Sequence, residues 1–248
     1  MSGDTVLFLI LGAAAGGFIN GLSGSGTALF ALGFFLLVLD PVTAVALVAL
    51  LAVLAGLQGM WVVRHEIFTK PKRLLRFILP GLIGVPLGVM LLSIIDASFL
   101  RYAIAALLIL FGAYFGFRSA LPKFSRPTPW LDSGIGLTGG ILGGSAGLSG
   151  AVPMLYLSLR PWPKSETRAV LQPFNMALLC TTVVLLFFKG AYDATAVKAL
   201  MVTIPAGLIA TQIGIFVFKR LSDAAFRRLL ILLNLVMGLG ILISEVVG

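Results

Sequence analysis

The stretch PVTAVALVALLAVLAGLQGMWVV, from Pro41 to Val63, carries no charged residue. A helix of about 20 such residues crosses the hydrocarbon core of a bilayer. Comparable apolar segments cover 74–95, 99–118, 166–188, 195–218 and 225–247. Only 11% of the chain is charged and 59% is hydrophobic, against about 25% charged in a soluble domain. A surface that faces water on all sides cannot be built from it. The runs are continuous rather than alternating, which argues against a β-barrel. The fold class read from the sequence is therefore an all-α polytopic membrane protein.

Residues 5–39 and 133–159 are also apolar, but glycine-rich sequence interrupts each near its middle. The interruptions are GLSGSGT at Gly21–Thr27 and GGSAGLSG at Gly143–Gly150. Each half-segment reads as short for a full span, so each region is expected to form an interrupted helical hairpin. Basic residues set the orientation. They fall in four clusters: Arg64, Lys70, Lys72, Arg73 and Arg76; Arg118, Lys123 and Arg126; Arg160, Lys164 and Arg168; Lys219, Arg220, Arg227 and Arg228. If each interrupted region enters and leaves on one side, 15 of the 18 Lys and Arg residues are cytoplasmic. A single crossing by 133–159 would put the third and fourth clusters outside. The net charge of +9 thus reflects membrane orientation and not a nucleic-acid partner.

The two halves repeat one another. GGFINGLSGSGTALFAL at Gly16 matches GGILGGSAGLSGAVPML at Gly139, PGLIGVPLG at Pro80 matches PAGLIATQIG at Pro205, and DASFLRYAIAALLILFG at Asp96 matches DAAFRRLLILLNLVMG at Asp223. The offsets stay between 123 and 127 residues. Each half is then a glycine-rich interrupted hairpin plus three transmembrane helices. The division is 1–118 for the first repeat, 119–131 for a cytoplasmic linker and 132–248 for the second repeat. An odd number of net crossings per half turns the second copy upside down. Inverted-topology repeats of this kind are common in secondary transporters, where broken helices bind substrate near the midplane.

Irregular backbone inside a membrane is tolerated only when buried in protein or lining a polar cavity. A helix that restarts after such a break presents free N–H groups and a partial positive charge, which suits an anion. Asn20, Ser23, Ser25 and Thr27 of the first break, with Ser145 and Ser149 of the second, would add side-chain donors. In WPKSETRAVLQPFNMALLC, Arg168, Gln172 and Asn175 stand at i, i+4 and i+7 and share one helix face. The matching part of the first half is almost wholly apolar. Arg168 would supply a full charge and a bidentate fork for an oxyanion. The bland alternatives are snorkelling to the interface or pairing with Glu166. For the glycines the competing use is helix packing, since Gly12/Gly16, Gly17/Gly21, Gly136/Gly140/Gly144 and Gly139/Gly143/Gly147 are four apart.

Other chemistries find no support. GLSGSGT has the glycine spacing of a phosphate loop, but Thr27 stands where the lysine belongs. The single cysteine, Cys180, excludes an internal disulfide. No carboxylate sits in the middle of a span, and no cofactor or metal site is implied. The N-terminus MSGDTVLFLILG lacks the positive n-region of a signal peptide.

GGFINGLSGSGTALFAL, GGILGGSAGLSGAVPMLYL and ETRAVLQPFNMALL, in this duplicated order, resemble the sulfite exporter TauE/SafE family over residues 8–247. The resemblance implies a multi-pass permease of the bacterial inner membrane, not an enzyme, that moves sulfite, organosulfonates or related sulfur oxyanions, often outward. The expected partners are a small anionic substrate and the lipid bilayer. A passive anion channel and a membrane scaffold for redox or cofactor assembly are the competing readings.

Overall fold

The computed structural model describes residues 3–69, 71–91, 128–146 and 148–247, together with 102, 105, 106, 108–110 and 112–114. Among them every regular element is helical. The helices are α1 (Gly3–Ser23), α2 (Thr27–Phe35), α3 (Pro41–Val62), α4 (Arg64–Thr69), α5 (Pro71–Leu91), α6 (Pro129–Ala146), α7 (Ala151–Ser158), α8 (Lys164–Phe188), α9 (Ala194–Arg220) and α10 (Asp223–Val247). Five described helices are long and apolar enough to cross a membrane: Gly3–Ser23, Val42–Val62, Lys164–Phe188, Ala194–Arg220 and Asp223–Ile243. This is a multi-pass membrane protein. Most of the expected 99–118 span, the Asp96 turn and the 119–127 part of the linker lie outside the described residues.

One expectation needs correction. The arms of the first hairpin are not both short, because α1 runs for 21 residues and only α2, with nine, is short. Gly12, Gly16, Gly17 and Gly21 stay within α1. Neighbouring backbone and side chains occupy the space that their missing Cβ atoms leave, so packing offsets their low helix propensity.

The chain forms two compact units that do not follow sequence order. The first comprises Met1–Arg64 and Asn175–Arg220, the second His65–Phe174 and Leu221–Gly248. Each therefore takes helices from both sequence halves, and the boundary runs through α8.

In the first unit α1 lies parallel to α9 along a glycine seam. A Cβ on Gly17 would strike the carbonyl oxygen of Gly207, one on Gly21 that of Thr211, and one on Gly214 that of Phe18. Thr211 Oγ1 lies 2.7 Å from Gly207 O and 3.1 Å from Gly17 O, so its single proton is shared across the seam. A second glycine face of α1, Gly12 and Gly16, receives Phe35 and Thr27 of the α2 arm. The open end of this hairpin is closed by an apolar core. Leu9, Ala13, Ala31 and Phe35 pack there with Leu47 and Leu51 of α3 and Ala196, Ala199 and Leu200 of α9. Asp40 caps α3, accepting from Val42 N at 3.1 Å and Thr43 N at 3.0 Å. Bonds from the Thr43 side chain and backbone hold its carboxyl below the usual range. Tyr192, in the loop before α9, donates to Ala46 O at 3.1 Å. Burial pushes its phenol up to about 12.

In the second unit α5 and α6 form a seam of the same design. Added Cβ atoms on Gly136, Gly140 and Gly144 would strike the carbonyls of Phe77, Gly81 and Val85. Reciprocally, Gly84 and Gly88 face the carbonyls of Leu137 and Ile141. The α6–α7 hairpin closes through Gly139, which lies against Pro153 and Ser149 O. Its open end is ionic. Asp132 and Arg160 form a salt bridge at 3.1 Å with both side chains almost fully enclosed, at 4% and 3% exposure. Tyr156 Oη donates to Asp132 Oδ1 at 2.5 Å and lies 2.8 Å from Thr128 Oγ1. Arg160 also donates to Thr128 and Tyr156.

Around this cluster Arg76 stands 3.9 Å from Asp132, and Arg73 pairs with Glu166 at 2.6 Å while lying over Trp162. Lys164 N donates to Asp223 Oδ1 at 3.0 Å, and Arg227 reaches Trp162 O at 3.4 Å. The starts of α5, α6, α8 and α10 and the end of α7 therefore meet at one face of this unit. The first, third and fourth basic clusters each send residues to it. The two ends of the α6–α7 hairpin therefore lie together, at Asp132 and Arg160.

Candidate functional site

The first break is narrower than its sequence suggested. Gly21 remains helical, and the chain departs from α1 only between Ser23 and Thr27. Gly24 and Gly26 take φ values of 85° and 90°, which only glycine adopts without strain. Asn20, Ser23, Ser25 and Thr27 are all brought together here and all buried. Asn20 Nδ2 donates to Thr27 Oγ1 at 2.7 Å, tying the end of α1 to the start of α2. Ser23 Oγ lies 2.9 Å from Ile19 O and 2.8 Å from Ser25 O, and accepts from Ser25 N at 3.3 Å. These side chains thus hold the loop together. The start of α2, at Gly26, has no side-chain cap.

The second break includes 148–150, after α6 has carried Gly143 and Gly144 within the helix. Leu148 N donates back to Leu142 O at 3.1 Å, satisfying a carbonyl at the end of α6. Ser149 is buried. Gly150 begins α7, again with no side-chain cap. The side chain of Ser145 and all of Gly147 lie outside the described residues.

The polar face of α8 is present as its spacing predicted. Arg168, Gln172 and Asn175 are buried, at 0%, 1% and 4% exposure. Arg168 Nε donates to Gln172 Oε1 at 3.2 Å. The guanidinium does not snorkel to water, and Glu166 is held by Arg73. Asn175 Nδ2 donates to Gly24 O at 3.2 Å, which places this residue on the first break rather than apart from it. Gln212 of α9 is exposed, whereas its neighbour Thr211 is locked in the glycine seam.

A family model described as Sulfite exporter TauE/SafE matches residues 8–241. The chain belongs to that family. It is a family of membrane transporters and not of enzymes. No curated protein and no solved structure gave a match to the chain.

Two features escaped the sequence reading. The pairing of Asp132 with Arg160, 28 positions away, has no local signal. Asn234 was passed over inside LLILLNLVMG, where one amide stands alone among apolar residues. It is fully buried and donates Nδ2 to Leu230 O at 2.8 Å. Among the described residues its Oδ1 has no hydrogen-bond partner. An unpaired buried acceptor costs about 1–3 kcal/mol, so the midspan amide is a local expense that packing alone does not require.

Proposed function

We propose that this protein is a secondary carrier of small sulfur-containing anions, such as sulfite or short sulfonates, in the bacterial inner membrane. The observation that carries the reading is shared by both hairpins. In each, the short helix restarts at a glycine with no side-chain cap, half-buried at Gly26 and buried at Gly150. The amides of such a start favour an anion. Thr27 and Ser25 flank one start, and Ser149, with Ser145 upstream, flanks the other. Asn20 and Ser23 shape the first loop. Gln172 and Asn175 contribute polar contacts, and Arg168 contributes charge. A guanidinium has five N–H donors, enough to hold Gln172 and an oxyanion together.

The two sequence halves act as inverted repeats that rock to alternate access. The reciprocal seams support this. Gly17 and Gly21 occupy the repeat positions of Gly140 and Gly144, and each pair packs on the span that matches the other's partner. Export is the direction that family membership favours.

Purified protein in liposomes, offered labelled sulfite and a set of sulfonates, tests the carrier. Uptake should saturate and be accelerated by the same anion on the far side. Flux that rises linearly with concentration and shows no counterflow would indicate a channel. No movement of any sulfur oxyanion would overturn the reading. Arg168→Met should lower transport about 10- to 100-fold, the worth of one charged hydrogen bond.

A further inference from the structure

Asn234 sits near the middle of α10, fully enclosed. Its Nδ2 is fixed by Leu230 O, so its Oδ1 points away from its own helix turn, and among the described residues that oxygen has no partner. Gln58 Oε1 and Thr203 Oγ1 of the other unit share this property. Asn234 differs from them in where it lies relative to a break. The end of α7 and the start of α10 are held at one face by the bonds of Lys164 to Asp223 and of Arg227 to Trp162. The two helices pack on one another. At the α-helical rise, Gly150 stands about 12 Å in from Ser158, and Asn234 about 16 Å in from Asp223. Asn234 is therefore near the level of the uncapped start of α7. The repeat partner of this segment has leucine here, at Leu107 and Leu108, so the scaffold does not require an amide.

We infer that Asn234 selects among substrates at the second break, accepting a hydrogen bond from a donor that the anion itself carries. The proposal rests on the carrier reading above. An amide oxygen accepts and cannot donate, so it offers nothing to a bare sulfo oxygen. It favours sulfur oxyanions bearing an O–H or N–H, such as hydrogen sulfite or a hydroxysulfonate, over donor-free ones. A site that leaves its acceptor unpaired discriminates against the analogue lacking the donor.

The test uses 2-hydroxyethanesulfonate and ethanesulfonate, which differ by one hydroxyl, in liposomes with the full chain. Wild type should carry the hydroxylated anion about tenfold better in kcat/KM, the effect of one ordinary hydrogen bond. Asn234→Leu should carry both at the ethanesulfonate level and melt at the same or a higher temperature, because the unpaired oxygen is gone. Asn234→Ala gives the same ratio without added bulk if the leucine misassembles. A wild type that moves both anions without preference, or a variant that keeps the wild-type ratio, overturns the role of Asn234 and leaves the carrier standing. A wild type that moves neither anion nor sulfite overturns both.

Discussion

The two hairpins share one plan and are closed in opposite ways. Each has a long arm with a glycine face, a short arm that restarts at an uncapped glycine, and a parallel seam with a span from the other sequence half. The open end of α1–α2 is apolar, with Leu9, Phe35, Leu47 and Leu200 in one core. The open end of α6–α7 is a buried ionic cluster around Asp132 and Arg160. The seam is where the backbones touch, and nothing but glycine fits. The ends are freer, and their chemistry follows the charge of the flanking loops. Where the basic clusters gather, a carboxylate and a phenol are enclosed to partner one of the arginines.

The comparison makes graded predictions. The largest effect belongs to the ionic end. Asp132→Ala or Arg160→Met strands a buried charge and should cost about 3–5 kcal/mol, while Asp132→Asn with Arg160→Met together should recover more than half. Thermal melts in detergent measure both, and a double variant no better than either single would show that the pair does not act as a unit. Next come the seams. Gly140→Ala and Gly17→Ala push a methyl into a carbonyl and should each cost about 1–3 kcal/mol. Equal losses would establish the seam as the shared element, whereas a loss in one unit only would break the comparison. Gly134→Ala, with open space around it, should be neutral or better. A smaller loss, about 1 kcal/mol, is expected for Asn20→Ala, which removes the bond to Thr27.

The smallest effect concerns acid. The Asp40 carboxyl is held below its ordinary pKa by Thr43, so its contribution is present at neutral pH and lost as pH falls through the lowered value. The melting difference between wild type and Asp40→Ala should therefore shrink in acid. A difference that grows there would contradict the cap.

Much of this was legible in the sequence, because membrane helices declare themselves by length and apolarity and each glycine register sets a face. The approximate positions of both breaks and the common helix face of Arg168, Gln172 and Asn175 were read from composition and periodicity. Glycine was ambiguous. Gly21, Gly143 and Gly144 were read as parts of loops but lie inside helices, since the same residue permits a turn and a close backbone approach. Long-range pairings were out of reach. Nothing near Asp132 announces Arg160, and nothing near Asn175 announces Gly24. Such contacts exist only once helices distant in sequence are packed together.

The proposed carrier requires its two hairpins to enter the membrane from opposite sides. Trp130, beside the ionic end, is 90% exposed, and Asp193, at the start of α9, is exposed as well. Cysteines placed at these two positions in a Cys180→Ala background can be labelled in whole cells with a thiol reagent that does not cross membranes. Asp193→Cys should label from outside and Trp130→Cys only after the cytoplasm is opened. Labelling of both from the same side would contradict the inverted repeat and the alternating access built on it.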